Sequence, residues 1–372
     1  MMENYLKKDC SKLKLVLITN QPSDGGGIGH WSNIVTNYIK DSMSDQIDFN
    51  GIFTYKYKSL KHSFYERFII NGFDLFRIKK ALIKLCKKNR PDIIHITATG
   101  EWSLLRDLMI LRIAKRFSVS VVYHIHFGKV PFFKEKNNIN WKLMKKCFKM
   151  SSSVWSIDKD TQSAIKEALP EINVEYVPNP VHVPIIKDRP VSKNYILFLG
   201  WVVKTKGVEE LIQAFAKINK YYPNIRLKLV GPYKEEYLDY LKQTYNMNNI
   251  IFSGKLSHEE AMEELKQCKL FVLPSYTEGF PNVVLEAMAF ARPIVATNVG
   301  AIPDILSDNS GIIIKTHSID DITNSCLTLL SNRDLCYEIS HNAYYKVLKS
   351  YSVENILNEY YTKWRILSHD NV

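Results

Sequence analysis

Short, unbroken apolar runs recur along the chain, each followed by a polar or glycine-rich turn and then by a stretch with helical spacing. The run "KLKLVLITN" at 12–20 leads into "PSDGGGIGH", after which Trp31, Ile34, Val35 and Tyr38 recur on one helical face. The same order returns as "FRIKKALIKLCKKNR" before Pro91 and "DIIHIT", as "SLLRDLMILRIAKRF" before "VSVVYHIHFG", and as "WKLMKKCFKM" before "SVWSID". Continuous apolar strands alternating with helices predict a parallel sheet covered by helices on both faces.

The pattern pauses at "VEYVPNPVHVP" (174–184), whose prolines and extended residues read as a linker. It restarts at "NYILFLGWVVKTKGVEELIQAFAKI", and "IRLKLVGPY", "IIFSG", "KLFVLPS", "PIVATNVG" and "GIIIK" supply further buried strands. The expected fold class is therefore α/β, with two domains in series over 1–180 and 181–350. The last segment, 351–372, contains "SVENILNEYYTKWRILSHD", an amphipathic helix expected to pack back toward the N-terminal domain. In open α/β sheets ligands sit beyond the carboxyl ends of the strands, so the residues that follow strands carry the chemical information.

Length and composition support two cores: 372 residues are 46% hydrophobic, which argues against a disordered or fibrous chain. No apolar run approaches the roughly 18 residues that span a bilayer, and "MMENYLKKDCSKLKLVLITN" has too short an apolar core for a secretory signal. The expected location is the cytoplasm, with peripheral attachment at the inner face of the membrane as an option. The 6 cysteines are scattered without a CxxC pair or a Cys/His cluster, so neither a disulfide framework nor a zinc site is indicated. The net charge of +12 arises before residue 181, where 29 Lys and Arg face 17 Asp and Glu, against 21 and 21 afterwards. Such asymmetry suits nucleic acid, an anionic membrane surface or a phosphorylated acceptor; it also describes an ordinary solvated surface.

Four motifs follow strands. "GGGIGH" precedes a helix, where backbone amides meet phosphate, yet His30 fills the last glycine position of the dinucleotide fingerprint and the expected second strand, "IFTYKYK", ends without an acid. A plain tight turn is the alternative. "VVYHIHFG" sets His124 and His126 on one side of a strand with His126 at its carboxyl end; His95 in "IIHIT" has no loop glycine beside it and reads as structural. Strand histidines are commonly satisfied core residues. "FLGWVVKTKG" carries Lys204 and Lys206 in a glycine-flanked loop, suited to diphosphate or simply to solvent. In "PSYTEGFPNVVLEAMAFARPIVATNVGAIPD" two glutamates, Glu278 and Glu286, bracket a Gly-Phe-Pro turn and a helix expected over 282–289. Amides at that helix start suit a diphosphate, and carboxylates accept hydrogen bonds from sugar hydroxyls. A capped helix with a solvated glutamate is the plainer alternative.

In this order the motifs resemble the retaining glycosyltransferases of family four, which have the GT-B fold of two Rossmann-like domains facing across a cleft. The resemblance covers nearly the whole chain and is most specific from Tyr195 to Asp304. It implies a metal-independent enzyme without a cofactor, moving a hexose with retention from a UDP-, GDP- or ADP-sugar to a glycan or lipid-linked acceptor, in cell-surface polysaccharide, lipopolysaccharide or glycolipid assembly. Carried over by position, Glu278 and His126 lie at the reaction centre. Glu286 binds the ribose hydroxyls and Lys206 a phosphate. Phe280, Pro281, Asn282 and Val283 form the turn and helix start against the sugar and phosphate, and Gly26 and Gly27 approach the diphosphate. Trp201 stands where the family usually has arginine, leaving Lys204 as a substitute cation, and Pro281 removes an amide that many members supply. Basic helices with Phe76, Leu82, Ile83, Trp141, Leu143 and Phe148 suit an anionic lipid surface, unless those side chains are core. A GT-B sugar-nucleotide epimerase would need further acid and base residues. A nucleic-acid binder would need stacking aromatics along a basic stripe; neither set is found, and no nucleic-acid partner is expected.

Overall fold

The structure, a computed structural model, describes residues 11–22, 26–54, 64–186 and 192–369. Cys10, Gly25 and the end of "IFTYKYK" lie outside the described residues. The chain divides into two units, residues 1–180 with 353–372 and residues 181–352.

In unit 1 the elements run β1 (Leu13–Asn20), α1 (Gly27–Ser42), β2 (Ile47–Thr54), α2 (Phe64–Lys88), β3 (Ile93–Ala98), α3 (Ser103–Arg116) and β4 (Ser120–Ile125). They continue as α4 (Val130–Glu135), α5 (Ile139–Met150), β5 (Ser153–Ser156), α6 (Lys159–Ala168) and β6 (Val174–Tyr176). The sheet order is β2-β1-β3-β4-β5-β6, and every pairing is parallel. Alternation along the strands divides the apolar side chains between two cores. Val16, Ile18, Ile94 and Ile96 enter one, while Leu15, Leu17, Ile93 and Trp155 enter the other. Each fully buried aliphatic side chain contributes about 1.5–3 kcal/mol.

Unit 2 contains β7 (Tyr195–Leu199), a 3-10 turn (Lys204–Lys206), α7 (Val208–Tyr221), β8 (Arg226–Val230), α8 (Glu235–Thr244), β9 (Ile250–Gly254) and α9 (His258–Gln267). Next come β10 (Leu270–Leu273), α10 (Asn282–Ala289), β11 (Ile294–Thr297), α11 (Ile302–Ile305), β12 (Ile312–Ile314), α12 (Ile319–Ser331) and α13 (Arg333–Ser350). Its sheet, β12-β11-β10-β7-β8-β9, is also parallel throughout. Both sheets have a switch point where chain order reverses, between β1 and β3 and between β7 and β10; crevices outside such points receive ligands. After unit 2 the chain returns as α14 (Val353–His369), whose Ile356, Leu357, Tyr360 and Trp364 complete the second core of unit 1.

Two expectations change. The supposed linker begins as a strand: Val174–Tyr176 forms β6 and pairs with β5, because an edge position tolerates so short a segment beside prolines. Of the apolar residues assigned to a lipid surface, Leu82, Trp141 and Phe148 are buried core, and Ile83 and Leu143 are half-buried against it. Only Phe76, 63% exposed, remains on the surface. Hydrophobic periodicity identifies a face, and here that face meets the sheet. Among the described residues no helix is long and apolar enough to cross a membrane. Cys86, Cys147, Cys268 and Cys326 are buried free thiols and Cys336 is half-buried.

One ion pair of unit 1 is built on a fully buried carboxylate. Asp107 on α3, fully buried, accepts from Arg106 Nε at 2.9 Å and from the Tyr123 hydroxyl at 2.9 Å. Burial raises the Asp107 carboxyl, and Arg106 and Tyr123 oppose that shift by favouring the ionised form. Removing one partner strands the others in a dry site, so Asp107→Ala is expected to lower unfolding stability by about 3–5 kcal/mol, measured by denaturant titration.

Candidate active site

The loops at the unit-2 switch point are locked by backbone contacts that leave no room for side chains. Gly207, at φ +68, lies against the β10 loop so closely that a Cβ would stand 2.1 Å from Pro274 O. From the other side Gly300, at φ +54, would place a Cβ 2.3 Å from Glu278 O. The positive φ and the close approach both require glycine at these two positions. Tyr276 N donates to Thr205 O and Ala301 N to Gly279 O, each at 2.9 Å, so loop 274–280 is stitched to both neighbours.

That stitching brings Lys206 to Glu278. Lys206 Nζ donates to Glu278 Oε1 at 2.5 Å, and Ser275 Oγ donates to the same oxygen at 2.6 Å. The side chains are 25% and 13% exposed, respectively. A hydrogen bond to a charged group is worth about 1.5–3 kcal/mol, enough to hold both side chains in one rotamer. The sequence placed Lys206 on phosphate and Glu278 on sugar as separate contacts; the structure makes them partners. An ammonium has three donors, so the pairing leaves two for another anion.

Beyond this pair α10 begins at Asn282 without a side-chain cap and with no acidic residue in its first turn. Pro281 occupies the N-cap at φ −79 and contributes no amide of its own. Val284 N turns back to Pro281 O at 3.0 Å, and Val283 lies before it in the first turn. Phe280 packs on the unit-2 core with its ring 6.5 Å from Tyr351. Because α10 is buried on nearly every side, Glu286 is carried into the interior, 8% exposed. Burial pushes its carboxyl up to about 7.

Lys204 is exposed in the 3-10 turn, and Trp201, at the position expected to hold arginine, is 62% exposed. The remaining sequence-derived residues belong to unit 1. Gly26 is the N-cap of α1 at φ +99, accepts from His30 N at 3.0 Å, and is followed by Gly27, the first helical residue; both are exposed and no side chain caps the helix. His126 stands just past β4, with its amide bonded to Ala98 O at 3.1 Å. Its Nε2 is buried and has no hydrogen-bond partner among the described residues. Burial and the neighbouring His124 and His95 hold it well below the ordinary histidine value, so the ring is neutral.

Residues 185–346, the span carrying Lys206, Glu278 and Glu286, match the family model described as "Glycosyl transferases group 1". The match spans less than half of the chain, which over those residues is similar to the group 1 glycosyl transferases. The chain is also similar to curated relatives, among them "Capsular polysaccharide biosynthesis glycosyltransferase CapM" of Staphylococcus aureus, 30% identical over 175 residues. That match covers 45% of this chain and 45% of CapM, so the chain spans less than half the length of that relative. Among solved structures, sucrose-phosphate synthase from Thermosynechococcus elongatus superposes with a TM-score of 0.76 at 17% identity, over 96% of this chain and 99% of that one. Anabaena HepE in complex with UDP-glucose superposes with a TM-score of 0.66 at 14% identity, over 94% and 98%. These likenesses show the GT-B fold class and no more.

Sequence reasoning missed Ser275 and the clamping role of Gly300, although both lie inside the quoted motif. The Pro-Ser pair three residues before Glu278 was the available signal. Gly300 carried no such signal, because its close contact comes from residues about twenty positions away in the chain.

The buried carboxyl of Glu286 sets a pH dependence. Its folded-state value, about 7, lies above the ordinary 4.5, so the folded chain holds a proton that the unfolded chain has released. The resulting stability is complete below pH 4.5 and is lost as pH rises toward 7. Relative to wild type, Glu286→Gln is expected to flatten the fall in thermal stability across that window, a difference on the order of 3 kcal/mol. Parallel melting curves for the two proteins from pH 4.5 to 7 would contradict the assignment.

Proposed function

We propose that the chain is a retaining glycosyltransferase of the family-four kind. It moves a hexosyl group from a UDP-, GDP- or ADP-sugar to a glycan or lipid-linked acceptor, in assembly of a cell-surface polysaccharide or glycolipid. The observation that carries this reading is the Lys206–Glu278 pair beside the uncapped start of α10, with buried Glu286 one turn further in. The names of CapM and of the UDP-glucose complex of HepE support a polysaccharide product and a sugar-nucleotide donor.

Each group has a physical task. Breaking the anomeric bond develops negative charge on the diphosphate, which Lys206 and the positive end of α10 stabilise without requiring a metal ion. Exposed Lys204 supplies a second cation where Trp201 supplies none. Val283 and Asn282 at the helix start face phosphate and sugar, bordered by Phe280 and Pro281. The Glu286 carboxylate accepts from the ribose hydroxyls, whose hydrogen bonds favour its ionised form when donor binds. On the unit-1 side, Gly26 and Gly27 at the start of α1 suit the diphosphate, and neutral His126 suits the donor sugar. The acceptor hydroxyl attacks on the face from which the phosphate departs, and a donor phosphate oxygen takes its proton.

A panel of UDP-, GDP- and ADP-sugars, scored for hydrolysis and transfer, tests the reading. One donor is expected to be consumed with an α-configured product from an α-configured donor, at a rate that EDTA leaves unchanged. Glu278→Ala is expected to reduce that rate by about 10²–10³-fold. Full activity in the variant would refute the role given to Glu278.

The acceptor side of the proposal includes an anionic lipid surface on unit 1. Exposed Phe73, Phe76, Trp102, Phe132 and Ile139 accompany the basic excess of the first 180 residues, a combination that buries rings among acyl chains while lysines meet headgroups. In liposome sedimentation the protein is expected to pellet with anionic vesicles and less so in high salt. Equal sedimentation with neutral vesicles would remove this surface from the proposal.

A further inference from the structure

The core of unit 1 contains a polar assembly that the proposed chemistry does not use. Trp31, His95, His124, Tyr360 and Trp364 are all fully buried. Trp364 Nε1 lies 3.2 Å from His95 Nδ1, His95 Nε2 lies 3.2 Å from His124 Nδ1, and His124 Nε2 lies 3.3 Å from Val177 O. An indole N–H can only donate and a carbonyl can only accept, so the two ends impose the same direction on this row. His95 accepts at Nδ1 and carries its proton on Nε2; His124 does the same. Burial keeps both rings neutral, with His124 lowered to about 3, so each has one proton to place.

A second arm runs beside the first. Trp31 Nε1 donates to the Tyr360 hydroxyl at 3.3 Å, and that hydroxyl donates to Pro178 O at 3.2 Å. Both arms begin or pass through α14 and end on the carbonyls of Val177 and Pro178. The rings they fix are the two that flank His126: His124, with ring centroids 4.1 Å apart, and Trp31, 4.7 Å away and edge-on. Among the described residues His126 makes no hydrogen bond at Nε2, and these two rings pack against its own.

We propose that α14 is the positioning element of His126, with Trp364 and Tyr360 as positioning residues that act through His124 and Trp31. The proposal rests on the reading of His126 as a group beside the donor sugar. It gives the C-terminal helix a task beyond covering a core. The segment by which the chain leaves unit 1 and the segment by which it returns are tied to one strand-end imidazole.

Long-range 1H–15N spectra of histidine-labelled full-length protein, combined with steady-state kinetics, test it. In wild type, His95 and His124 are expected as neutral Nε2–H tautomers. Trp364→Phe, which keeps a ring and removes the donor, is expected to shift both signals. It should also lower kcat about tenfold at unchanged donor KM, since a misplaced group loses rate more than binding. Tyr360→Phe should lower kcat similarly while leaving the His95 signal in place. Nδ1–H tautomers in wild type would overturn the first arm without any variant having to fold. Wild-type kcat in both variants, alongside an inactive His126→Ala, would overturn the positioning role and leave the reading of His126 standing. Full turnover in His126→Ala would overturn that reading and the proposal together.

Discussion

Backbone meeting backbone at Gly207 and Gly300 is the constraint on which the rest of the candidate site depends. Loop 274–280 lies between two segments that approach it where any Cβ would collide, at 2.1 Å from Pro274 O and at 2.3 Å from Glu278 O. Contacts that close cannot be adjusted by choosing another rotamer. They fix the heights of the 3-10 turn, of Glu278 and of the start of α10 relative to one another. The 2.5 Å pair between Lys206 and Glu278 then follows as a consequence of geometry, and Ser275 adds a second donor to the same oxygen. The parallel sheet supplies the frame: β7 and β10 are neighbours at the point where the chain order reverses, and the loops after them meet backbone to backbone there.

Unit 1 meets a different constraint. Three imidazoles and three indoles share one interior, and each unpaired donor there would cost about 1–3 kcal/mol. The chain satisfies nearly all of them in two directional rows, anchored on carbonyls next to the prolines of 178–180. Desolvation keeps the histidines neutral, and neutrality lets each ring both accept and donate. Trp364 and Tyr360 come from the far end of the chain, so this interior is complete only when α14 has docked. His126 borders the assembly without joining its hydrogen bonds, which is why its Nε2 stands apart from its satisfied neighbours.

Much of this was readable before the structure, and the reasons differ by element. Strand–helix alternation and the run of apolar residues after each loop are local, and both sheets followed from them. The helix at Asn282–Ala289 was legible because its start is marked by a proline and its interior is almost entirely apolar. The same property buries Glu286, whose carboxyl is therefore pushed up to about 7, a consequence that spacing alone does not reveal. Partnerships across long separations were not legible: Lys206 with Glu278 across 72 positions, and Trp364 with His95 across 269. Whether Leu82, Trp141 and Phe148 face lipid or core stayed open in the sequence for a related reason, and they are core. An apolar face must be buried, but its period does not say whether sheet or membrane buries it.

The departure at Trp201 acquires a physical setting from the Lys206–Glu278 pair. In the proposed reaction Lys206, with Glu278 holding one of its three donors, would meet an incoming diphosphate while already partly neutralised. An arginine at 201 would have offset that loss with a rigid, permanently charged fork; an exposed indole supplies no charge. The electrostatic demand of the leaving group then falls on Lys204 and on the amides and dipole of α10, where Pro281 has already removed one donor. In the proposed reaction the diphosphate is thus held less by fixed charge and more by backbone. Backbone donors work only while their loop is held still, and that returns the requirement to the two glycines that admit no side chain.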